Sequence, residues 1–325
     1  MKVLITGGAG FIGSHLTEAL LQSGHDVAVV DDLSTGSLAN IEHLLGGGGV
    51  QFVRDSVRNH STMAVLVGQC DVIFHLAAAV GVKLIADEPV RTIETNIHGS
   101  EVVLDLANRF RRRVFVASTS EVYGKSTKVP FSEDDDSVFG STRFTRWCYA
   151  CSKMVDEFLA LAYCEQYGLQ PVIGRLFNTI GTRQTGAYGM VVPRFVRAAL
   201  GNEPLTVYGT GDQSRCFSNV ADVVAALIKL IDCDAAVGEV INIGAAEPIS
   251  INDLAAKIID MAGSSSEVRH ISYEEAYGRP FDDMLARVPD LTKIRRLIDY
   301  EPRFTLPETL QQIIDYERER MSKQQ

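Results

Sequence analysis

The sequence contains no apolar run close to the roughly 18 residues a bilayer-spanning helix needs, so no membrane span is expected. It lacks a basic leader followed by a short apolar stretch, and Lys2-Val3-Leu4-Ile5-Thr6 reads at once as a strand; a cytoplasmic protein is the expectation. Positive charge is in deficit. With 31 Lys and Arg against 41 Asp and Glu, the net charge of -10 argues against a nucleic-acid partner and offers no basic stripe to a membrane surface. Any anionic ligand must therefore be held by local groups. The six cysteines (Cys70, Cys148, Cys151, Cys164, Cys216, Cys233) are scattered and read as free thiols. Cys148-x-x-Cys151 has no second ligand pair, so no metal is expected. What is present is ample apolar material: 46% hydrophobic residues over 325 positions can bury one large domain or two coupled ones.

The first 35 residues read strand, glycine turn, helix, strand. Gly7, Gly10 and Gly13 fall in G-x-x-G-x-x-G spacing, with Phe11 and Ile12 opening a helix that carries Leu16, Leu20 and Leu21 on one side. In that context, glycines without side chains let the backbone approach a pyrophosphate at the helix N-terminus, and Gly13 permits close helix packing. The second strand, Asp26 to Val30, ends in Asp31-Asp32. An acid there accepts hydrogen bonds from the adenosine ribose hydroxyls and repels a 2′-phosphate, which favours NAD over NADP. Asp55-Ser56 follows a third strand and is placed to reach the adenine edge. His75 reads as a packed strand residue in a strand that ends at Leu76, and Ala77-Ala78-Ala79 continues it with side chains small enough for a dinucleotide to lie against. A helix from about Val90 to Arg109 contains Asn96. The alternating pattern implies an α/β fold built on a doubly wound parallel sheet with right-handed crossovers.

The stretch from Val114 to Lys153 carries the chemistry. An apolar run, Val114 to Ala117, passes into Ser118-Thr119-Ser120-Glu121, and a helix pattern then opens on Arg146-Trp147-Cys148-Tyr149-Ala150-Cys151-Ser152-Lys153. Tyr149 and Lys153, four apart, share a helix face. A phenol with a pKa near 10 is a poor base at neutral pH. An ammonium one turn away lowers that value, and the Thr119 hydroxyl can share the substrate's hydrogen bond.

Taken together, the Gly7–Gly13 fingerprint, Asp31, Asn96, Thr119 and Tyr149-x-x-x-Lys153 resemble the extended short-chain dehydrogenase/reductase family of nucleotide-sugar enzymes, over nearly the whole chain. The resemblance implies a Rossmann fold and a tightly held NAD that is reduced and reoxidised in each turnover. Tyr149 would be the base, Lys153 its electrostatic partner and nicotinamide-ribose ligand, and Thr119 the hydroxyl contact to the sugar. Ser118, with the residues above, would line the cofactor. Arg215 and Arg287 would hold a substrate diphosphate, Asp290 the uridine ribose, Asn178 a phosphate or sugar oxygen, and Tyr208 would lie in the strand beside the uracil. The substrate would be a UDP-sugar. Residues 1–178, with 217–245 returning to them, would form the NAD-binding domain; 179–216 and 246–325 would form a smaller, interleaved substrate domain. Members commonly pair through a four-helix interface, and a homodimer is expected from apolar residues in excess of one buried stripe: Val102, Val103, Leu104 and Leu106, then Met154, Val155, Phe158, Leu159 and Leu161.

Within that family the reactions begin alike, with oxidation at sugar C4, and diverge at C5. Thr119-Ser120-Glu121 with Arg146-Trp147-x-Tyr149 is similar to the UDP-glucuronate decarboxylases, and the stretch from Tyr277-Gly278 through Arg287 resembles the same group. Ser120 stands where the dTDP-glucose 4,6-dehydratases carry an Asp. Gly189-Met190-Val191-Val192-Pro193 is at least as close to the 4-epimerases. Decarboxylation of UDP-glucuronate is therefore the first expectation, UDP-sugar 4-epimerisation the second and 4,6-dehydration the third.

Overall fold

The computed structural model describes residues 1–187, 189–278 and 282–323. Tyr188, in the expected loop Gly181–Gly189, lies outside the described residues, as do positions 279–281 of the stretch leading to Arg287. The first half of the chain alternates strand and helix: β1 (Lys2–Thr6), α1 (Phe11–Gln22), β2 (Asp26–Val30), β3 (Val50–Val53), α2 (His60–Gln69), β4 (Val72–His75), α3 (Val82–Asp87), α4 (Pro89–Arg109), β5 (Arg113–Thr119), α5 (Arg146–Tyr167) and β6 (Pro171–Leu176). Shorter elements follow: β7 (Thr179–Ile180), α6 (Val191–Leu200), β8 (Leu205–Tyr208), β9 (Ser214–Cys216), β10 (Ser218–Asn219), α7 (Val220–Asp232), β11 (Val240–Ile243), β12 (Pro248–Ser250), α8 (Ile251–Ala262), β13 (Val268–Ile271), α9 (Tyr273–Tyr277), β14 (Ala286–Arg287), α10 (Thr292–Ile298) and α11 (Leu306–Ser322).

Seven strands form one parallel sheet in the order β3-β2-β1-β4-β5-β6-β11. The period-2 geometry of a strand explains why its apolar runs are continuous instead of alternating. Val3 and Ile5 enter the core on one face of the sheet with Leu16, Leu20 and Leu227, while Leu4 between them enters the other with Met63, Val103 and Leu104. Phe115 and its neighbours Val114 and Val116 divide the same way. From β1 the chain runs outward through β2 to β3 and then crosses back through α2 to β4 on the other side of β1, and the carboxyl ends on either side of that divide open a crevice suited to a ligand.

A third core, outside the sheet, joins α6, α8, α11 and β8 through Phe195, Val207, Leu254, Ile258, Leu310 and Ile314. α7 and β11 return to the first core through Val223, Leu227 and Ile241. Leu291, Ile294 and Tyr300 pack there too, and the Tyr300 hydroxyl donates to the Gly244 carbonyl at 3.0 Å. Residues 291–300 thus belong with the sheet, and a division at residue 246 does not follow the cores. The apolar length of α10 decides this, because β11 and α7 leave a surface that it covers. Among the described residues, no helix is long and apolar enough to cross a membrane.

The turn between β1 and α1 is as tight as its glycines allow. Gly7 has φ +72°, and a Cβ on Gly13 would stand 2.2 Å from the Gly7 carbonyl oxygen. Gly13→Ala should therefore lower stability by about 1–3 kcal/mol through overpacking against backbone, measured as a fall in the urea midpoint.

Candidate active site

The carboxyl ends of the sheet strands open into a cleft of about 990 Å³ that extends onto β8, β9, α9 and β14. Its cofactor-side wall holds Gly7, Gly10, Phe11, Ile12, Gly13, Asp31, Asp32, Asp55, Ser56, Leu76, Ala77, Ala78 and Ser118. Thr119, Ser120, Glu121, Tyr149 and Lys153 line its middle, and Asn178, Tyr208, Arg215 and Arg287 its far end. Two expected residues are not on the wall. Asn96 is buried in α4, its Oδ1 accepting from the Ala79 N–H at 2.8 Å and its Nδ2 donating to the Ser152 hydroxyl at 3.1 Å, so it braces the Ala77–Ala79 segment from behind. Asp290 accepts from the Thr292 N–H at 2.8 Å and starts α10. Its side chain serves that turn, and no local pattern in the sequence distinguishes this from a ligand contact.

At the acidic end of β2, Asp31 is buried and accepts from the N–H groups of Leu33 at 2.8 Å and Ala9 at 3.0 Å, tying the glycine turn to the strand end. Burial pushes its carboxyl up against these two donors. Asp55 is held by Thr62, Ser56 and Asn59, which keep its carboxyl below the ordinary range.

Tyr149 and Lys153 sit where the helix period puts them, but the electrostatics differ from expectation. The Tyr149 hydroxyl meets Thr119, yet burial first and the Glu121 charge second push the phenol above its ordinary value. The Lys153 ammonium donates to Asp156 Oδ2 at 2.6 Å, one turn on and also buried. Lys153 is thereby paired with a buried carboxylate. The expectation of a lowered Tyr149 is corrected by burial and the Glu121 charge, which set the direction of its shift. Asp156 carries no signal in the sequence beyond its spacing from Lys153.

Beside Tyr149 lies a buried charge cluster. Glu121 Oε1 is 3.2 Å from Arg287 Nη2 and 3.7 Å from Arg146 Nη2; Asp283 lies 3.1 Å from both Arg146 and Arg215 and accepts from the Tyr273 hydroxyl at 2.9 Å. Burial alone would raise the Glu121 carboxyl, but Arg146 and Arg287 outweigh it and hold it below the ordinary range. Asp283 follows the same balance with Arg146 and Arg215. Burial, with Arg287 adding to it, pushes Arg215 down to about 10. Among the described residues, three guanidinium groups face two carboxylates, one positive charge in excess, and Glu121 Oε2 and Arg287 Nε are buried with no hydrogen-bond partner among them. Such a site is arranged for an anion.

Sequence reasoning named Glu121, Arg215 and Arg287, quoted Arg146 only within a motif, and assigned nothing to Asp283 or Tyr273. At the far end, Arg194 stacks over the Tyr208 ring at 4.1 Å, and Tyr277 meets that ring edge-on at 5.5 Å. These groups make an aromatic and cationic lining at that end of the cleft. The loop after β7 is tied to α1 by Thr182, whose carbonyl accepts from His15 Nε2 at 3.0 Å, and by Arg183 on Glu18.

The family model described as GDP-mannose 4,6 dehydratase matches residues 4–313. The chain is 43% identical over 319 residues to a UDP-N-acetyl-alpha-D-glucosaminuronate decarboxylase of Bacillus cytotoxicus, covering 98% of each chain. It is 37% identical to UDP-glucuronic acid decarboxylase 1 of Xenopus tropicalis, covering 99% of this chain and 73% of that protein. Among solved structures, UDP-glucuronic acid 4-epimerase from Bacillus cereus, in complex with UDP-glucuronic acid and NAD, superposes with a TM-score of 0.89 at 29% identity, over 98% of this chain and 99% of that one.

If Asp283 is what compensates Arg146 and Arg215, Asp283→Asn should cost about 3 kcal/mol of stability, read by urea denaturation, because two buried cations lose their counter-charge.

Proposed function

The chain belongs to the family described as GDP-mannose 4,6 dehydratase, the extended short-chain nucleotide-sugar enzymes, and from that premise we propose that it decarboxylates a UDP-hexuronate after transient oxidation at C4 with NAD. The observation that carries the reading is the Glu121–Arg287–Arg146 cluster beside Tyr149 and Thr119. A simple epimerisation asks for a hydroxyl contact and room to turn the sugar. Two buried guanidinium groups and a carboxylate are the equipment for an anionic substituent at C5.

The residues on the cofactor-side wall suit NAD. A Cβ at Gly7 or Gly13 would collide with backbone, so the turn is kept bare for a pyrophosphate, with Phe11 and Ile12 at the helix start beside it. Asp31 and Asp32 would face the adenosine ribose, Asp55 and Ser56 the adenine, and Leu76, Ala77, Ala78 and Ser118 the rest of the dinucleotide, with Asn96 bracing Ala79. Bound NAD would supply hydride acceptance at C4 and, after carbon dioxide has left, hydride return. Tyr149 takes the C4 hydroxyl proton, and Thr119 shares the hydrogen bond. In the resulting β-keto acid the C5–C6 bond breaks, carbon dioxide departs, and the electron pair moves onto the C4 oxygen, which faces Tyr149 and Thr119. Arg287 and Arg146 orient the carboxylate before it leaves. A substrate carboxylate next to Glu121 raises the proton affinity of Glu121, which brings it toward the protonated state needed to supply C5. Arg215 serves the diphosphate, with Asn178 beside it, and Tyr208 the uracil; Asp290 supports this end of the site through α10 instead of by contact.

Assembly belongs to the same reading. α5 buries a polar face and exposes Val155 and Phe158, while α4 exposes Val90 and Ile93. Val103, Leu104 and Leu106 are consumed by the chain's own core. The remaining apolar faces pair between two copies, and free thiols at all six cysteines suit a reducing, cytoplasmic setting.

Incubation with UDP-glucuronate and, separately, with UDP-N-acetylglucosaminuronate should yield a product lighter by carbon dioxide, read by mass and NMR. Glu121→Gln should let a 4-keto intermediate accumulate. An isomer of unchanged mass would make this a 4-epimerase and overturn the reading. Light scattering at micromolar concentration should give a dimer mass, with Phe158→Glu shifting it toward monomer; a monomeric parent protein would refute the assembly.

A further inference from the structure

Between the cofactor-side wall and α5 lie two sets of buried polar side chains: the hydrogen-bonded run Thr6, His75 and Ser100, and the ion pair of Asp156 with Lys153. Thr6, at the end of β1, accepts from the Ala77 N–H at 3.2 Å through Oγ1, so its hydroxyl proton is free for His75 Nδ1 at 2.8 Å. His75 Nε2 then carries the ring proton and donates to the Ser100 hydroxyl at 3.1 Å. Burial, and then the Lys153 charge, pushes His75 down to about 3, so the ring is neutral and this tautomer follows from its neighbours. The Ser100 hydroxyl lowers the Asp156 carboxyl that burial raises, and Asp156 holds the Lys153 ammonium at 2.6 Å. Every one of these side chains, from β1, β4, α4 and α5, is buried.

We propose that Asp156 is a positioning residue: its carboxylate sets where the Lys153 ammonium rests and how much of that positive charge reaches Tyr149. This rests on the reading of Tyr149 and Lys153 given above. The arrangement assigns the electrostatic control of the base to a buried carboxylate one turn beyond the lysine, paired with its ammonium at 2.6 Å. Tyr149 itself faces Glu121 from the turn after β5, Thr119 from β5, Arg287 from β14 and Asp156 from its own helix. Asp156 faces Lys153 and Glu157 on α5 and Ser100 on α4. Its negative charge opposes ionisation of the phenol directly and offsets the ammonium that would favour it. The ammonium is drawn closer to the base only as far as this pair loosens.

The test uses the full chain with NAD and UDP-glucuronate, reading single-turnover reduction of the bound cofactor against pH. Asp156→Asn keeps the shape and removes the charge; the acid limb of the profile should move down by roughly 0.5–1 unit. Asp156→Glu should restore the parent midpoint even where its rate is reduced. If the Asn variant does not fold, Asp156→Ser makes the same neutralisation with a smaller group. Independently of turnover, the Lys153 ammonium should give an exchange-protected ¹⁵N signal in the parent protein, assigned by its loss in Lys153→Met, and lose that protection in the neutral variant. An unchanged midpoint, or an equally protected ammonium without Asp156, overturns the proposal. A parent protein that reduces no NAD with either uronate overturns the functional reading instead, while the ammonium signal still decides the role of Asp156.

Discussion

The buried face of α5 is polar, and most of the site follows from satisfying it. Arg146, Tyr149, Ser152, Lys153, Asp156 and Glu157 all point inward, whereas Val155 and Phe158 point out. A charge removed from water is tolerated only when paired and hydrogen-bonded. Each of these residues therefore recruits a partner from another element or from its own turn. Arg146 takes Asp283, Ser152 takes Asn96, Lys153 takes Asp156, and Glu157 takes both Arg175 and the Ser118 hydroxyl, with Arg175 Nη2 at 2.8 Å. The sheet, α4 and the segment before β14 are held in register by one helix that would be unstable alone.

The same constraint concentrates charge where the substrate enters. Arg215 and Arg287 come from neighbouring strands, β9 and β14, whose parallel pairing sets Arg215 opposite Arg287. Behind them a small core of Val122, Tyr123, Phe131, Trp147, Phe177 and Met284 excludes water and strengthens each interaction in front of it. An acidic protein thereby presents a local positive excess to an anionic ligand, without a basic surface. The apolar outer face of α5 is the complement of this design, since a helix that spends its inner face on ions has its hydrophobic residues left for another surface.

The sheet, its parallel order and the cleft at its switch point were legible because their signals are local. Uninterrupted apolar runs, G-x-x-G-x-x-G after a strand and Asp31 at the next strand end each require only neighbours in sequence. Glu121, Arg215 and Arg287 were legible through family resemblance, but their convergence was not, because it depends on the turn after β5 meeting the paired strands β9 and β14. Asn96 and Asp290 show the converse: both were placed on the ligand by resemblance, and both hold backbone, Asn96 from the interior at Ala79 and Asp290 near the surface at Thr292. Segment 291–300 was assigned to the smaller unit by its position in the chain, whereas its apolar side chains follow the surface left by α7 and β11.

By itself, the sequence determined the fold class, the glycine turn after β1, the acid at the end of β2 and the Tyr149/Lys153 spacing, since residue type and spacing settle these within one or two turns of chain. Only the tertiary structure decided the electrical state of that pair. Whether Glu121 is ionised depends on burial and on the guanidinium groups of Arg146 and Arg287, brought to it from separate elements, and Lys153 is held by Asp156 where both are removed from water. Dielectric and Coulomb energies are set by distance through space, which spacing along the chain does not encode.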